Sequence, residues 1–236
     1  MKKILYSVAL AACCMGTMTS CSDFLDASNK SNVTDKQTFA TKEGFNSLVN
    51  DAYQHLQNVY AAPLFTSCFS AGTDMYANAR NKMNEALNTY ETLTPENTDI
   101  KNLYTYLFSG IRAANSVSYY AQTAQVDEKT KGQLVGEARV LAAYEYYLLV
   151  NNFGGVPIMK DFLTTADTGY PKSSAEDVYA YIISELKDVI GKNVLQASTA
   201  TKGGGRISQE TAKAILAKTY LSAAWDLNKQ DYFSKA

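Results

Sequence analysis

The chain has 236 residues, of which 46% are hydrophobic and 19% are charged, and its formal net charge is −1. This composition is that of an ordinary globular protein and excludes both a disordered chain and one that fills a membrane. Its 22 lysine and arginine residues are scattered along the sequence rather than clustered. The sequence therefore lacks the basic patch with which proteins bind nucleic acids or anionic membranes, and we expect no nucleic-acid partner.

The first 20 residues are typical of a lipoprotein signal peptide. Lys2 and Lys3 precede a mostly apolar segment, residues 4–15, which is too short and too interrupted to span a bilayer. Cys21 follows the residues Met-Thr-Ser, which are similar to a lipobox. We predict that Cys21 is acylated and becomes the first residue of the mature chain.

Cys13 offers an alternative acylation site. It follows Leu-Ala-Ala, which matches the lipobox pattern better than the residues before Cys21 do. Cleavage before Cys13 would leave an apolar segment of only about nine residues, near the short limit for a signal peptide. We therefore prefer Cys21 and predict a signal peptide at 1–20, a lipidated tether at 21–37 and a folded domain at 38–236.

The cysteine, histidine and glycine residues of the chain argue against a catalytic site or a metal site. Cys68 is the cysteine left after processing and acylation, and we expect it to be a small buried hydrophobic residue. His55, the single histidine, has no Cys or His partner in its helical segment, which argues against a zinc site. Arg206 follows the glycines at 203–205, and these lack the Gly-Lys-Ser/Thr ending of a phosphate-binding loop. We expect no enzymatic activity, no metal and no cofactor.

Helical periodicity dominates the chain after residue 40. Apolar residues recur at helical spacing in five segments, which are 45–56, 100–117, 134–150, 178–190 and 212–223. No long segment alternates apolar and polar residues, so the predicted fold class is all-α. Short joints between the helices favour stacked helix pairs, an α-solenoid of the tetratricopeptide type, with long loops. Leu216, Ala217 and Tyr220 also fall at the Leu-small-x-x-Tyr spacing of that repeat.

Capping residues mark where these helices begin. The predicted N-caps are Thr94 (followed by Pro95), Asp127, Ser174 and Ser208. Asp231 is expected to begin one further helix. Because that helix would hardly have begun at Ala236, we expect the natural chain to continue beyond this residue.

Residue spacing also predicts which segments are buried. The segment 141–150 is apolar on nearly every side except at Glu145, so it is expected to be the central buried helix. Trp225 follows Leu221 by four residues, about one helical turn. We expect Trp225 to lie in the core, although its ring could also stack on a ligand.

Several segments together resemble the SusD/RagB family. Residues 21–26 look like its mature N-terminus, and two further blocks are similar in order and spacing, namely 136–144 with 152–157 and 205–208 with 212–221. We interpret the charged residues of these blocks as scaffold. Glu137 and Arg139 begin a buried helix, where each charge needs a partner, and Arg206 is expected to bind helix carbonyls.

The resemblance implies a cell-surface lipoprotein that binds an oligosaccharide or another nutrient. Such a protein caps a SusC-like TonB-dependent transporter in the outer membrane and delivers its ligand to that channel. Asp23 and Asp26 resemble the acidic signals that direct lipoproteins to the cell surface. A different class of function stays open, namely a periplasm-facing tetratricopeptide lipoprotein that acts in outer-membrane protein assembly.

If the ligand is a sugar, the long irregular segment at 63–93 offers the groups it needs. Aromatic rings stack on the C–H faces of pyranoses, and amides and guanidinium groups bind hydroxyls. The candidate ligand-binding residues are Tyr76, Asn78, Arg80 and Asn81, with Tyr90 close to them in sequence. The alternative is that Tyr76 and Tyr90 only pack this loop onto the helices. One helical turn is expected at 82–87.

Overall fold

The computed structural model describes residues 35–61, 63–76, 85–165, 169–198 and 205–236. Within these ranges the chain forms α-helices and one 3-10 helix and contains no β-strand, which confirms the all-α prediction. The α-helices are α1 (Asp35–Ala40), α2 (Lys42–Tyr60), α3 (Leu64–Phe69), α4 (Glu85–Thr89), α5 (Thr98–Tyr120), α6 (Glu128–Phe153), α7 (Ala175–Lys192) and α8 (Gln209–Asp226). The 3-10 helix is Gln230–Lys235. The predicted signal peptide and Cys21 lie outside the described residues.

Most of the predicted N-caps are confirmed. The side chains of Asp127, Ser174 and Ser208 each accept a hydrogen bond from a backbone N–H in the first turn of α6, α7 and α8, at 2.9–3.1 Å. Each bond satisfies one of the amides that a helix N-terminus leaves without an intrahelical partner. Thr41 caps α2 in the same way.

Two predicted helix starts are wrong. Helix α5 begins at Thr98 rather than after Thr94, because the Asn97 side chain accepts from two backbone amides, those of Asp99 and Ile100. One side chain that satisfies two amides is a better cap than a threonine that satisfies one. Asp231 caps no helix either, since its carboxylate accepts from Lys235 within the 3-10 helix.

The long helices pack in chain order. Helix α2 packs on α5, α5 on α6, α6 on α7 and α7 on α8, and α6 also contacts α2 and α8. This pattern of neighbour-to-neighbour contacts is that of a helix-pair α-solenoid, as predicted. Helix α6 lies at the centre, where Leu141, Ala143, Tyr146 and Leu149 are almost completely buried. The prediction of a central helix over 141–150 is therefore confirmed.

Charged side chains of the two sequence blocks join these helices. Arg139 of α6 binds Glu185 and Asp188 of α7, at 2.8 and 2.6 Å. Glu137 of α6 is fully buried, and its carboxylate binds Nε of Arg206 at 2.7 Å. Arg206 also donates to the Asn50 side chain at 3.1 Å. Arg206 therefore binds a carboxylate and an amide rather than the helix carbonyls that we expected, because the buried Glu137 needs a cationic partner.

The segment between α2 and α5 contains more helix than its sequence indicates. Helix α3, at Leu64–Phe69, was not predicted, and α4 begins at Glu85 inside the region where one helical turn was expected. Helix α3 is short and packs on α2 and α5. Its hydrogen bonds continue directly from the end of α2, since Phe65 N–H donates to the Ala61 carbonyl.

Candidate functional site

The candidate residues of the 63–93 loop are only partly described. Tyr76 is half-buried, and its backbone N–H donates to the Thr73 carbonyl at 3.2 Å. Asn78, Arg80 and Asn81 lie outside the described residues. The described parts of the loop line a cavity and carry exposed aromatic rings.

A cavity of about 430 Å³ lies between the loop and the helices. Tyr90 and Leu87 line it from the loop, Leu103 lines it from α5, and Asn152 and Phe153 line it from the end of α6. Its volume is within the range of ligand-binding pockets. The walls combine apolar surface with an amide and a phenol, which suits a polar ligand with apolar faces.

Tyr90 is held at the rim of this cavity by a close contact with Gly72. A Cβ atom at position 72 would lie 2.1 Å from the Tyr90 hydroxyl, and the φ of Gly72 is +73°, so glycine is needed there for both reasons. Tyr90 itself has a φ of 63° and leaves 57% of its surface exposed. Tyr90 therefore contacts another residue of the same loop and still presents an exposed ring.

Cys68 has the structural role that its sequence context predicted. Its thiol is half-buried and donates to the Asp99 carbonyl, with Sγ 3.7 Å from the oxygen. Burial raises the pKa of Cys68 to about 11. The group therefore stays a neutral thiol near pH 7, which is unsuited to a nucleophile.

Three aromatic rings form an exposed cluster at the end of α2 and on α3. Tyr60 ends α2, and Phe65 and Phe69 lie one turn apart on α3. The ring centroids of Tyr60 and Phe65 are 5.5 Å apart, and those of Phe65 and Phe69 are also 5.5 Å apart. The Tyr60 and Phe69 rings are nearly parallel, with 10° between their planes. Tyr60 is 42% exposed and Phe65 is 37% exposed.

Two tyrosines of α6 extend this cluster. The Tyr60 and Tyr144 hydroxyls hydrogen-bond to each other, and the Tyr144 and Tyr147 rings stack with centroids 5.9 Å apart. The Tyr147 hydroxyl then reaches the Ser222 hydroxyl of α8 at 3.3 Å. Burial raises the pKa of Tyr60, so its hydroxyl stays protonated and can donate. We call these five residues the aromatic platform: Tyr60, Phe65, Phe69, Tyr144 and Tyr147.

The aromatic platform has no clear signature in the sequence. Phe65 and Phe69 have the i, i+4 spacing of a helix face, but they lie in a segment that lacks any longer periodicity. Tyr144 belongs to a helix that is apolar nearly all round, so its sequence alone does not distinguish a half-exposed ring from a buried one. Only the packing of α2 and α3 against α6 brings these rings together.

The prediction for Trp225 was wrong. This residue is 73% exposed, and its ring meets the edge of the Phe233 ring with centroids 5.2 Å apart. Ala223 and Ala224 occupy the buried positions in the last turn of α8. Trp225 therefore faces away from α7.

No group of three or more His, Cys, Asp or Glu side chains lies close enough to hold a metal ion within the described ranges. None of the helices in those ranges is both long enough and apolar enough to cross a membrane.

The fold and the platform together define a helix-pair α-solenoid with an exposed aromatic surface. Residues 23–221 match the SusD-like family model whose description is starch-binding and associating with the outer membrane. This match covers most of the chain, so the chain belongs to the SusD-like family.

Individual relatives agree with this assignment. A SusD-like protein of Bacteroides ovatus is 26% identical over 213 residues, which are 87% of this chain and 37% of that protein. A SusD-like protein of Formosa agariphila is 28% identical over 179 residues, which are 74% of this chain and 34% of that protein. The chain thus spans about a third of the length of these curated relatives.

Solved structures show the same fold. Surface glycan-binding protein A from Bacteroides uniformis is 25% identical, with a TM-score of 0.65 over 82% of this chain and 45% of that one. A SusD homologue from Bacteroides thetaiotaomicron has a TM-score of 0.70 at 20% identity, over 88% of this chain and 41% of that one. A laminarin-binding SusD-like protein has a TM-score of 0.68 at 22% identity, over 81% of this chain and 42% of that one.

Proposed function

We propose that this protein is a lipid-anchored outer-membrane protein that binds an oligosaccharide on the cell surface and delivers it to a SusC-like TonB-dependent transporter. Membership of the SusD-like family supports the class of ligand and the membrane location. The relative from Bacteroides uniformis, at 25% identity, is itself a surface glycan-binding protein. The observation that carries the proposal is the exposed aromatic platform.

The platform has the chemistry that sugar binding requires. A pyranose presents a flat C–H face that stacks on an aromatic ring, and its hydroxyls need donors and acceptors at the ring edge. Phe65 and Tyr60 supply exposed faces, and the paired hydroxyls of Tyr60 and Tyr144 supply polar groups between them. The candidate residues of the 63–93 loop would add an aromatic ring, two amides and a guanidinium. These residues are Tyr76, Asn78, Arg80 and Asn81.

The proposed organisation of the chain follows from this role. Residues 1–20 would direct export, residues 21–37 with an acylated Cys21 would tether the protein, and residues 38–236 would form the helical domain. In this proposal the domain binds and transfers its ligand and carries out no catalysis. Family membership favours it over the alternative of an outer-membrane assembly factor, because the family description names starch binding.

Titration of the protein with laminari- and malto-oligosaccharides by calorimetry tests the proposal. Phe65→Ala removes an exposed ring that packs against the rings of Tyr60 and Phe69, so we expect affinity to fall about tenfold while the fold is kept. Trp225→Ala is the matched control, because it removes a more exposed ring outside the platform. Equal weakening by both substitutions, or no effect of Phe65→Ala, would contradict the platform as the binding surface.

Delivery to the transporter needs a separate measurement. We expect the lipidated protein to co-purify with a SusC-like transporter from outer membranes, and Phe65→Ala to leave that association unchanged. Recovery with an assembly complex in place of a transporter would support the alternative function.

A further inference from the structure

Arg112, on the outer side of α5, differs from the other arginines that the structure describes. Arg139 and Arg206 are both held in ion pairs that join helices. Arg112 is exposed and makes neither an ion pair nor a hydrogen bond with any described residue. A guanidinium carries five donors and no acceptor, so one without an ion pair or hydrogen bond is available to an anionic ligand.

The Arg112 side chain is nevertheless fixed in position. Its guanidinium carbon lies 5.0 Å from the centroid of the Phe162 ring, which is a cation–π contact. Phe162 in turn packs against Tyr119 and Tyr120, with ring centroids 5.4 and 5.9 Å away. Because the ring below it is held on two sides, the guanidinium loses little conformational freedom when it binds a ligand.

Arg112 lines a cavity of about 480 Å³, and none of the described residues that line this cavity is acidic. Tyr104, Phe108 and Tyr170 supply aromatic surface, and Thr105 and Ser109 supply hydroxyls. We call this cavity the Arg112 cavity. It combines the flat rings and hydroxyls that suit a sugar with one positive charge, and its volume is within the range of ligand-binding pockets.

Arg112 also lines two other cavities, and both contain acidic residues. Asp161 lines a cavity of about 300 Å³ together with Asn115, and Asp35 and Asp51 line a third cavity of about 400 Å³. None of these carboxylates pairs with the guanidinium. An anion that approaches Arg112 therefore meets the least repulsion in the Arg112 cavity, where the charge is also flanked by apolar surface.

We propose that the Arg112 cavity binds an acidic sugar residue, a uronic acid whose carboxylate pairs with the Arg112 guanidinium. The planar guanidinium matches a carboxylate with two parallel hydrogen bonds, and the rings of Tyr104 and Phe108 receive the sugar. This inference rests on the proposed function, since it specifies one class of oligosaccharide for a glycan-binding protein.

The Arg112 cavity is adjacent to the cavity under the 63–93 loop. Tyr104 lines the first and Phe153 lines the second, and their rings meet edge to face with centroids 5.2 Å apart. Both cavities follow α5, the Arg112 cavity along 104–112 and the loop cavity at 100–103. An oligosaccharide that lies along α5 can thus place a neutral residue near the loop and its acidic residue at Arg112.

Calorimetric titration with tetragalacturonate and with its fully methyl-esterified counterpart tests the inference. The two ligands share the same sugars and differ in charge. We expect wild-type protein to bind tetragalacturonate about tenfold more tightly than the ester, and Arg112→Gln to abolish that preference without weakening the ester more than about twofold. Lys101→Gln is the control, because it removes an exposed positive charge from the same helix outside the cavity. It should keep the preference.

Other results of such titrations would overturn the inference. Equal affinity for both ligands, or a preference that survives Arg112→Gln, overturns the inference. Binding of neutral oligosaccharides that depends on Phe65, without any preference for the acid, overturns it and leaves the proposed function standing. If the protein binds neither neutral nor acidic oligosaccharides, both fail. Tight binding of a sulfated galactan oligosaccharide but not of tetragalacturonate overturns the assignment of a carboxylate.

Discussion

At the scale of single residues, Glu137 and Glu145 show two ways in which a buried carboxyl is accommodated. Both carboxyls lie in α6 and both are fully buried. Glu137 accepts from Arg206, Tyr53 and Gln133, whereas neither oxygen of Glu145 has a hydrogen-bond partner among the described residues. The Glu145 carboxyl instead lies against Gly110 of α5, where a Cβ atom would come within 1.7 Å of Oε1. Burial raises the pKa of Glu145 well above its ordinary value.

The raised pKa of Glu145 predicts that the folded protein becomes less stable as pH rises. Below the pKa of the unfolded chain, about 4.3, this group is protonated in both states and gives the stability no dependence on pH. Above it the unfolded chain releases the proton while the folded protein keeps it, so stability falls by up to about 1.4 kcal/mol per pH unit until the folded pKa is reached. Glu145→Gln removes this dependence. We therefore expect its stability relative to wild type to increase from pH 5 to pH 7 in urea unfolding.

The control for this prediction is Glu96→Gln, which neutralises an exposed carboxyl in the turn before α5. Its stability relative to wild type should change little over the same pH range. If the difference between Glu145→Gln and wild type were the same at pH 5 and pH 7, Glu145 would be ionised in the folded protein.

At the scale of secondary-structure elements, one buried cluster joins three parts of the stack. Glu137 of α6 binds Arg206, in the segment before α8, and the Tyr53 hydroxyl of α2 at 2.8 Å. The Tyr53 hydroxyl also accepts from the Ile207 backbone N–H at 2.8 Å, and the Arg206 guanidinium lies over the Tyr53 ring. Helices that are distant in sequence are thus fixed by side chains that satisfy one another's hydrogen bonds.

Arg206→Gln is expected to destabilise the protein because it leaves the buried Glu137 carboxylate without its cation. Removing one partner of a buried pair costs about 3–5 kcal/mol, and since Arg206 is 27% exposed we expect about 2–3 kcal/mol. The double variant Glu137→Gln/Arg206→Gln should recover part of this loss, since it removes the unpaired charge. Denaturant unfolding of the single and double variants measures both values. A double variant at least as unstable as Arg206→Gln would show that lost packing, and not the unpaired charge, sets the cost.

At the scale of the whole molecule, the proposed anchor and the helical stack have separate roles. Each long helix contacts mainly its neighbours, so the stack presents a broad surface, and both the aromatic platform and the Arg112 cavity lie on it. A protein that passes a ligand to a transporter must be held at the membrane by a segment outside this surface. The tether proposed at residues 21–37 would meet that requirement.

Acylation at Cys21 gives a prediction for the intact protein. Cys21→Ala should release the protein from the outer membrane, and mass spectrometry of the wild-type N-terminal peptide should find lipid on Cys21. The matched control is Cys13→Ala, which should leave the protein anchored. External protease should also digest the wild-type protein on intact cells. Release by Cys13→Ala, or protection from protease until the outer membrane is broken, would contradict the assignment.

The sequence alone determined the features that depend on local spacing. The fold class, the caps at Asp127, Ser174 and Ser208 and the central helix follow from residues within one or two turns of each other, and the structure confirms them. The resemblance of three sequence blocks correctly indicated the SusD-like family. The candidate ligand residues Asn78, Arg80 and Asn81 remain predictions, since they lie outside the described residues.

The tertiary structure decided everything that depends on contacts between distant segments. Tyr60 and Tyr144 are 84 residues apart, and Glu137 of α6 pairs with Arg206, which lies beyond α7 in the chain. No local pattern encodes such pairs, because periodicity shows which face of a helix is apolar but not which neighbour covers it. The same reason explains the error at Trp225, whose spacing fits a core position although 73% of its surface is exposed. The partners of Arg206, and the lack of an ion pair at Arg112 among the described residues, were likewise decided by packing.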